Sequence, residues 1–456
     1  MKSRFLMCFS AITMFAALAM PFWLAAQNAQ QPRHEQPRYI IKDLGTLGGT
    51  TGSGRGINNQ DWISGIALVR HDTALHAFFR KNGRKIDLGT LGGPNSNTFS
   101  KPTMHGEVVG AAETSNPDPL GEDFCFFGTH LICLAFVWQN GTMTALPTLG
   151  GNNSTADYIN NHSQVAGLAE NTTLDSTCPS SEYQAEPVVW DHGVPRQLPT
   201  VSGDPDGAVN AINNRGVAVG GSGNCATSST FSLHALLWQN GSPTDLGGLG
   251  GTLFSDAFNV NDQSQVVGAS DLAGDTNFWA FPFINNHAFF WRNGAMTDLG
   301  TLLGDATSFA FSINNKGQVV GQGSRAILWD GGGLTDLNTR VPGPPFSPLY
   351  LLSALDINDR GEIVGEGLAI DGDLHAYLAI PCDDLHGDLE GCHTGAPLSA
   401  TEGPVEPASV GLTSDASRRS DAGNSRRRGG TVIWHRPEGQ TGGYFFNSWA
   451  GTTRHP

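Results

Sequence analysis

From residue 38 onward, apolar positions come in bursts of four to six residues, such as GQVVG around Val319 and HAFFW from His287 to Trp291. Each burst is β-branched or aromatic and is bounded by Gly or Asn, the pattern of short strands rather than helices. The bursts recur in a fixed order. One unit reads SFAFSINNKGQVVGQGSRAILW from Ser308 to Trp329 and continues as DGGGLTDLN to Asn338, while its neighbour supplies HAFFWRNGAMTDLGTL from His287 to Leu302. Shared by all units is an IN element, a turn, a VVG segment, an apolar segment ending near Trp, an Asn-Gly turn and a DLG element. The IN element stands at Ile57, Ile159, Ile212, Val260, Ile313 and Ile357; the second unit has KPTMHGEVVG, from Lys101 to Gly110, in its place. Repeats at a spacing of about 38 to 58 residues indicate a repeat architecture.

Each unit holds four short strands. Asn-Gly pairs at Asn82, Asn140, Asn240 and Asn293 supply the positive-φ turn between the third and fourth. Four antiparallel strands per unit predict an all-β fold, a seven-bladed β-propeller over residues 38–381, with a β-solenoid as the other solution. The first DLG element, RYIIKDLG from Arg38 to Gly45, lacks three preceding strands, and the last unit ends at Ile380 without a fourth. The two halves fit together, so Tyr39–Leu44 is expected to pair with His375–Ile380, covering an otherwise open edge. Turns after strands one and three then share one face and are tight. Those after strand two share the other face and are long at 110–134 and 167–186, intermediate at 268–286 and minimal at 321–325.

The chain of 456 residues begins with an address. Lys2 and Arg4 precede an apolar stretch from Phe5 to Ala26, with small residues at Ala25, Ala26 and Ala29 as cleavage points, so residues 1–26 read as a signal peptide. Retention of that segment as an anchor is the other reading. Beyond Cys8, six cysteines remain, and an even number in an exported chain reads as disulfides. Short spacings favour Cys125 with Cys133 and Cys382 with Cys392, leaving Cys178 with Cys225. Residues 382–456 read as a poorly ordered tail, with Arg418, Arg419 and Arg426–Arg428 clustered in it. A net charge of −16, from 42 acidic and 26 basic residues, excludes a broad nucleic-acid groove. Nothing requires a cofactor or a metal, and a monomer is expected.

Catalytic motifs of the HExxH, G-x-S-x-G and P-loop kinds are absent. The long-loop face therefore carries the candidate binding residues: Glu122, Asp123, Phe124, Phe126, Phe127, Asp175, Glu182, Tyr183, Phe278 and Trp279. Its acids, Glu170 included, are expected at the surface; a glycoside-cleaving pair would need two of them about 5–9.5 Å apart. Repeated histidines are expected to bond within their own blade, and the repeated Asn to serve turn chemistry.

The starts at His76–Ala77–Phe78 and His287–Ala288–Phe289, the weaker His234–Ala235–Leu236 and His375–Ala376–Tyr377, and the LGTLGG and INNxGQVVG motifs resemble the HAF-repeat family of bacterial exported repeat proteins. The resemblance covers residues 38–381 and implies an extracellular or cell-surface location. It brings no reaction, cofactor or catalytic residue. The expectation from sequence is a non-catalytic binding or scaffold module for an extracellular protein or polysaccharide. A propeller enzyme acting on polysaccharide and a purely structural envelope component are the alternatives.

Overall fold

The computed structural model describes residues 38–386 apart from 179–181, 225–232, 275–284, 332 and 343–346, together with Cys392. The expected signal segment and nearly all of the expected tail lie outside the described residues. Strands run from Tyr39 to Pro381, and the only helical turns among the described residues are two short 3₁₀ segments. Five sheets have four strands each. The remaining eight-stranded sheet consists of two four-stranded runs that meet through a single parallel pair, Thr51 with Leu374. In chain order the four-stranded units span 48–87, 92–145, 154–197, 206–245, 250–300, 309–336 and 349–381, and the strand Tyr39–Gly45 lies on the outer edge of the last one. These are the blades of a β-propeller, numbered here one to seven.

The N-terminal strand pairs antiparallel with Leu374–Pro381, from Tyr39 opposite Pro381 to Asp43 opposite Tyr377. Tyr39 and Tyr377 are fully buried in the same apolar cluster, which also draws Val320 and Leu328 from blade six. The other clusters likewise mix neighbouring sheets: Val109 and Ala135 of blade two pack with Ala156, Val188 and Trp190 of blade three. The core therefore lies between sheets, layer on layer, where both faces of each sheet are dry.

The IN element explains how the layers are held. Asn261 Oδ1 accepts from the backbone N–H of Gln263 and of Gln265, closing its own turn. Its Nδ2 donates to Asn314 O of the next blade at 3.0 Å. The same pair of jobs is done by Asn160, Asn213, Asn314, Asn358 and Asn58, whose amides reach Asn213 O, Asn261 O, Asn358 O, Asn58 O and Thr103 O. The following residues add a second circuit, in which the N–H groups of Asn161, Asn214, Asp262, Asn315 and Asp359 donate to the side-chain oxygens of Asn214, Asp262, Asn315, Asp359 and Asn59. In blade two, Thr103 keeps the turn bonds, to His105 and Glu107, but has no amide to pass on.

The histidine and DLG elements prove to be two ends of one contact. His76 Nδ1 meets Asp87, His287 meets Asp298, and His375 meets Asp43, each within 3.0 Å across strands three and four. The last pair fastens the N-terminal strand to blade seven. Where blade six has Arg325 instead, it reaches Asp336 at 2.6 Å. His234 departs from the pattern and bonds Asp204.

Disulfides join Cys125 to Cys133 and Cys382 to Cys392. Cys178 is also disulfide-bonded, and Cys225 lies outside the described residues. Among the described residues no helix is long and apolar enough to cross a membrane. These features are compatible with an extracellular protein.

Asn261→Ala removes both a turn cap and an inter-blade bond, so urea unfolding should show a loss of about 1–3 kcal/mol. The exposed Ser242→Ala serves as control; an Asn261→Ala loss no larger than the control's would contradict the double role.

Candidate functional site

In six blades the first strand carries a β-bulge just before the IN element. The register shifts fall between Gly54 and Gly56, Ala156 and Tyr158, Val209 and Ala211, Ala257 and Asn259, Ala310 and Ser312, and Ala354 and Asp356. A bulge redirects the side chain of the extra residue. Here the redirected residues are Arg55, Asp157, Asn210, Phe258, Phe311 and Leu355. The glycine of VVG permits this geometry: a Cβ on Gly167 would collide with Thr155 O, and one on Gly268 with Asp256 O. Framework positions around the bulge repeat from blade to blade, whereas the redirected layer holds a cation, an anion, an amide, two aromatic rings and an aliphatic chain. Repeats that keep a scaffold and diversify one layer mark that layer as the place where chemistry differs.

Beside this layer, the IN turns surround a cavity of about 90 Å³ whose walls come from all seven blades, including Asn58, Asn160, Asn213, Asn261, Asn314 and Asn358. Lys101 and Tyr158 also line it. Lys101 is the only cation in that lining and owes its position to blade two's departure from the repeat. The stretch from Ser96 to Thr103 is one residue longer than Ser154–Asn160 or Ser255–Asn261, although Ser96, Ser154 and Ser255 occupy the same register against strand two. Ser100 Oγ accepts from Ile159 N–H, as Asp356 Oδ2 accepts from Ile57 N–H in blade seven. Ser100 thus takes the place equivalent to Asp356, and Lys101 is the inserted residue.

Lys101 lies with Nζ 5.5 Å from the centre of the Tyr158 ring, close enough for its charge to act on the Tyr158 hydroxyl. Burial works against the ammonium, yet Tyr158, Asp356 and Asp359 around it hold its pKa above the ordinary lysine value. Burial raises the Tyr158 hydroxyl, while Lys101 and Asn259 pull the other way. Burial likewise raises Asp356, which Lys101, Ser312 and two backbone N–H groups offset in part. Asp157, with Thr155 as its hydrogen-bonding partner, has its carboxyl pushed up by burial to about 7. The arrangement sets a hydroxyl beside a fixed positive charge, one requirement of general acid–base chemistry.

On the long-loop side three of the acids expected at the surface, Glu122, Glu170 and Asp175, are buried instead, while Asp123 and Glu182 are half-buried. Glu122 and Glu170 share a hydrogen bond, and Asn153 Nδ2 lies 2.9 Å from Asp118, 3.1 Å from Glu122 and 3.2 Å from Glu170. Burial first, then the neighbouring carboxylates, keep a proton on Glu122. Asp206 is raised to about 9 by burial and by its bond with Asp175. These acids fasten loops. Glu170 accepts from the N–H groups of Asn152 and Asn153, as Asp271 does from Thr252 and Leu253 in blade five and Asp72 from Thr50 in blade one. The cluster of Asp175, Cys178 and Asp206 has metal-ligand spacing, but Cys178 is committed to a disulfide.

The remaining candidates scatter. Phe124 and Phe127 pack around the Cys125–Cys133 disulfide, Phe126 sits half-buried in the same loop, and Asp123 closes it by accepting from Gly128 N–H. Asp175 N–H donates to Glu182 O, and Tyr183 pairs with Leu174 at the head of a strand. Phe278 and Trp279 lie outside the described residues. The axial residues were not among the candidates; the signal available in sequence was the length anomaly at Lys101.

No protein-family model matches the sequence, and no curated protein matches it. Solved structures do share the fold. The β-propeller domain of the Trilobed protease from Pyrococcus furiosus aligns at 10% identity, covering 76% of this chain and 98% of that one, with a TM-score of 0.41. Pyrococcus horikoshii acylaminoacyl peptidase aligns at 11% identity over 76% of this chain and 54% of that one, with a TM-score of 0.40. A gluconolactonase from Xanthomonas campestris aligns at 9% identity over 76% of this chain and 95% of that one, with a TM-score of 0.34. The expectation of a non-catalytic module is corrected here: the three solved structures named above are enzymes or a domain of one.

The carboxyl pairs give a pH signature. Their folded-state pKa values lie above the ordinary carboxylate range, so the stability they contribute is complete in acid and is lost as pH rises toward about 9. Thermal midpoints should fall between about pH 5 and pH 9. Glu122→Gln with Asp206→Asn should flatten that fall; an unchanged slope in the double variant would refute the shared-proton reading.

Proposed function

We propose that the chain is a secreted, seven-bladed β-propeller enzyme, its ring closed by the N-terminal strand, that cleaves a polysaccharide at its axis. Ring closure is supported by the pairing of Tyr39–Gly45 with the last blade and by the Asn358-to-Asn58 bond that joins blade seven to blade one. One observation carries the catalytic reading: an inserted lysine, Lys101, set against the ring of Tyr158 in a cavity walled by the IN turns.

Breaking a sugar linkage needs a proton delivered to the leaving oxygen. Tyr158 is the donor in this reading. Lys101 stabilises the phenolate left behind, an electrostatic contribution that costs no reorganisation because the ammonium is already in place. Asp157, one residue before Tyr158 and titrating near 7, takes a proton from the water whose oxygen bonds the anomeric carbon as the linkage oxygen leaves with the proton from Tyr158. The carboxamide-rich wall suits the hydroxyls of a sugar.

The test is release of new chain ends from a panel of polysaccharides by the full chain. Tyr158→Phe, which keeps the ring and loses the hydroxyl, should lower kcat by about 10²–10⁴-fold. Because a base works when deprotonated, activity should rise as pH passes 7, and Asp157→Asn should lack that limb. Failure of the wild type to cleave any member, or a Tyr158→Phe enzyme running at the wild-type rate, would refute the reading.

A further inference from the structure

Arg55 has no partner for the part of its guanidinium that recognises oxyanions. It is the bulge residue of blade one, it is 8% exposed, and its Nε and Nη2 have no hydrogen-bond acceptor. Those two N–H groups lie on the same edge of the guanidinium and point in parallel, the fork that grips two oxygens of one anion. Glu366 is felt electrostatically, but among the described residues no carboxylate forms an ion pair with Arg55. An arginine buried with two idle donors is costly unless something else satisfies them.

The surroundings narrow the ligand further. The Arg55 guanidinium carbon is 5.7 Å from the centre of the Phe99 ring. At the equivalent register of blades five and six stand Phe258 and Phe311, whose ring centres are 6.0 Å apart, with Phe309 6.1 Å from Phe311. Asp157 shares Arg55's bulge position, so the fork belongs to the same layer as the proposed base. Aromatic rings offer a face to the C–H side of a sugar, and the fork offers a seat to an oxyanion attached to it.

We propose that Arg55 is a specificity residue that receives the carboxylate or sulfate of an acidic sugar unit, making the substrate an acidic polysaccharide. The proposal rests on the axis being the reacting site. Calorimetric titration of the full chain with oligogalacturonate and its carboxyl-reduced counterpart, and with a sulfated carrageenan oligosaccharide and its desulfated form, separates the two anions. Wild type should bind one charged oligomer about ten- to a hundredfold more tightly than its neutral counterpart. Arg55→Lys, which keeps the charge and loses the fork, should erase that preference while retaining the wild-type thermal midpoint to within a few degrees. Tyr158→Phe should keep the preference and lose cleavage. Equal binding of charged and neutral forms by wild type, no binding of either charged oligomer, or a preference intact in Arg55→Lys would overturn the proposal. Cleavage of neutral chains without acidic preference would sink this inference alone, whereas tight acidic binding without cleavage would sink the enzyme reading alone.

Discussion

One asparagine in each of six units, with its oxygen spent on its own turn and its amide spent on the next sheet, is the constraint on which the rest of the molecule depends. A turn that satisfied its backbone some other way would remove one of the two polar circuits that join neighbouring sheets. Because the same side chain does both jobs, the end of each first strand is fixed relative to its neighbour. Each bond contributes only about 0.5–1.5 kcal/mol net, but the geometry it imposes recurs from blade to blade. Blade two breaks the pattern, with Thr103 in place of the asparagine, and there the chain carries the extra residue that brings in Lys101.

That fixed frame gives the bulges their meaning. A bulge breaks the alternation of side chains along the strand, and it can persist because a glycine on strand two lets the backbones approach. Six such positions, from Arg55 to Leu355, carry six residues of differing chemistry except for the two phenylalanines. The outer strands show the opposite behaviour. His76 with Asp87, His287 with Asp298, His375 with Asp43 and Arg325 with Asp336 keep a positive group facing a carboxylate, so variation there preserves one contact. The outer strands thus repeat one pairing from unit to unit, whereas the bulge positions vary.

Much of this was legible in the residues. The repeating IN, VVG, HAF and DLG elements imply four-stranded sheets, the orphan DLG at Asp43 implies its pairing with the last unit, and close cysteines imply two of the disulfides. The site was not legible, for physical reasons. A bulge is a property of register between two strands, and nothing in the composition of Asp157 or Arg55 announces it. Glu122 and Asp175 looked like surface acids because they sit in long polar loops, yet those loops fold back onto Asn153 and Asp206 of the next blade and bury them. The idle edge of the Arg55 guanidinium exists only once neighbours are in place. Length was the one linear clue: KPTMHGE, which replaces the IN element, follows a first strand one residue too long.

The most direct measurement is a crystal structure of the Tyr158→Phe protein with a bound acidic oligosaccharide. The account predicts sugar on the axis, with its acidic group on Arg55 Nε and Nη2 and a linkage oxygen beside residue 158 and Lys101. Sugar seated instead on the loops at 118–130 or 170–186, with the axis free of it, would contradict the account.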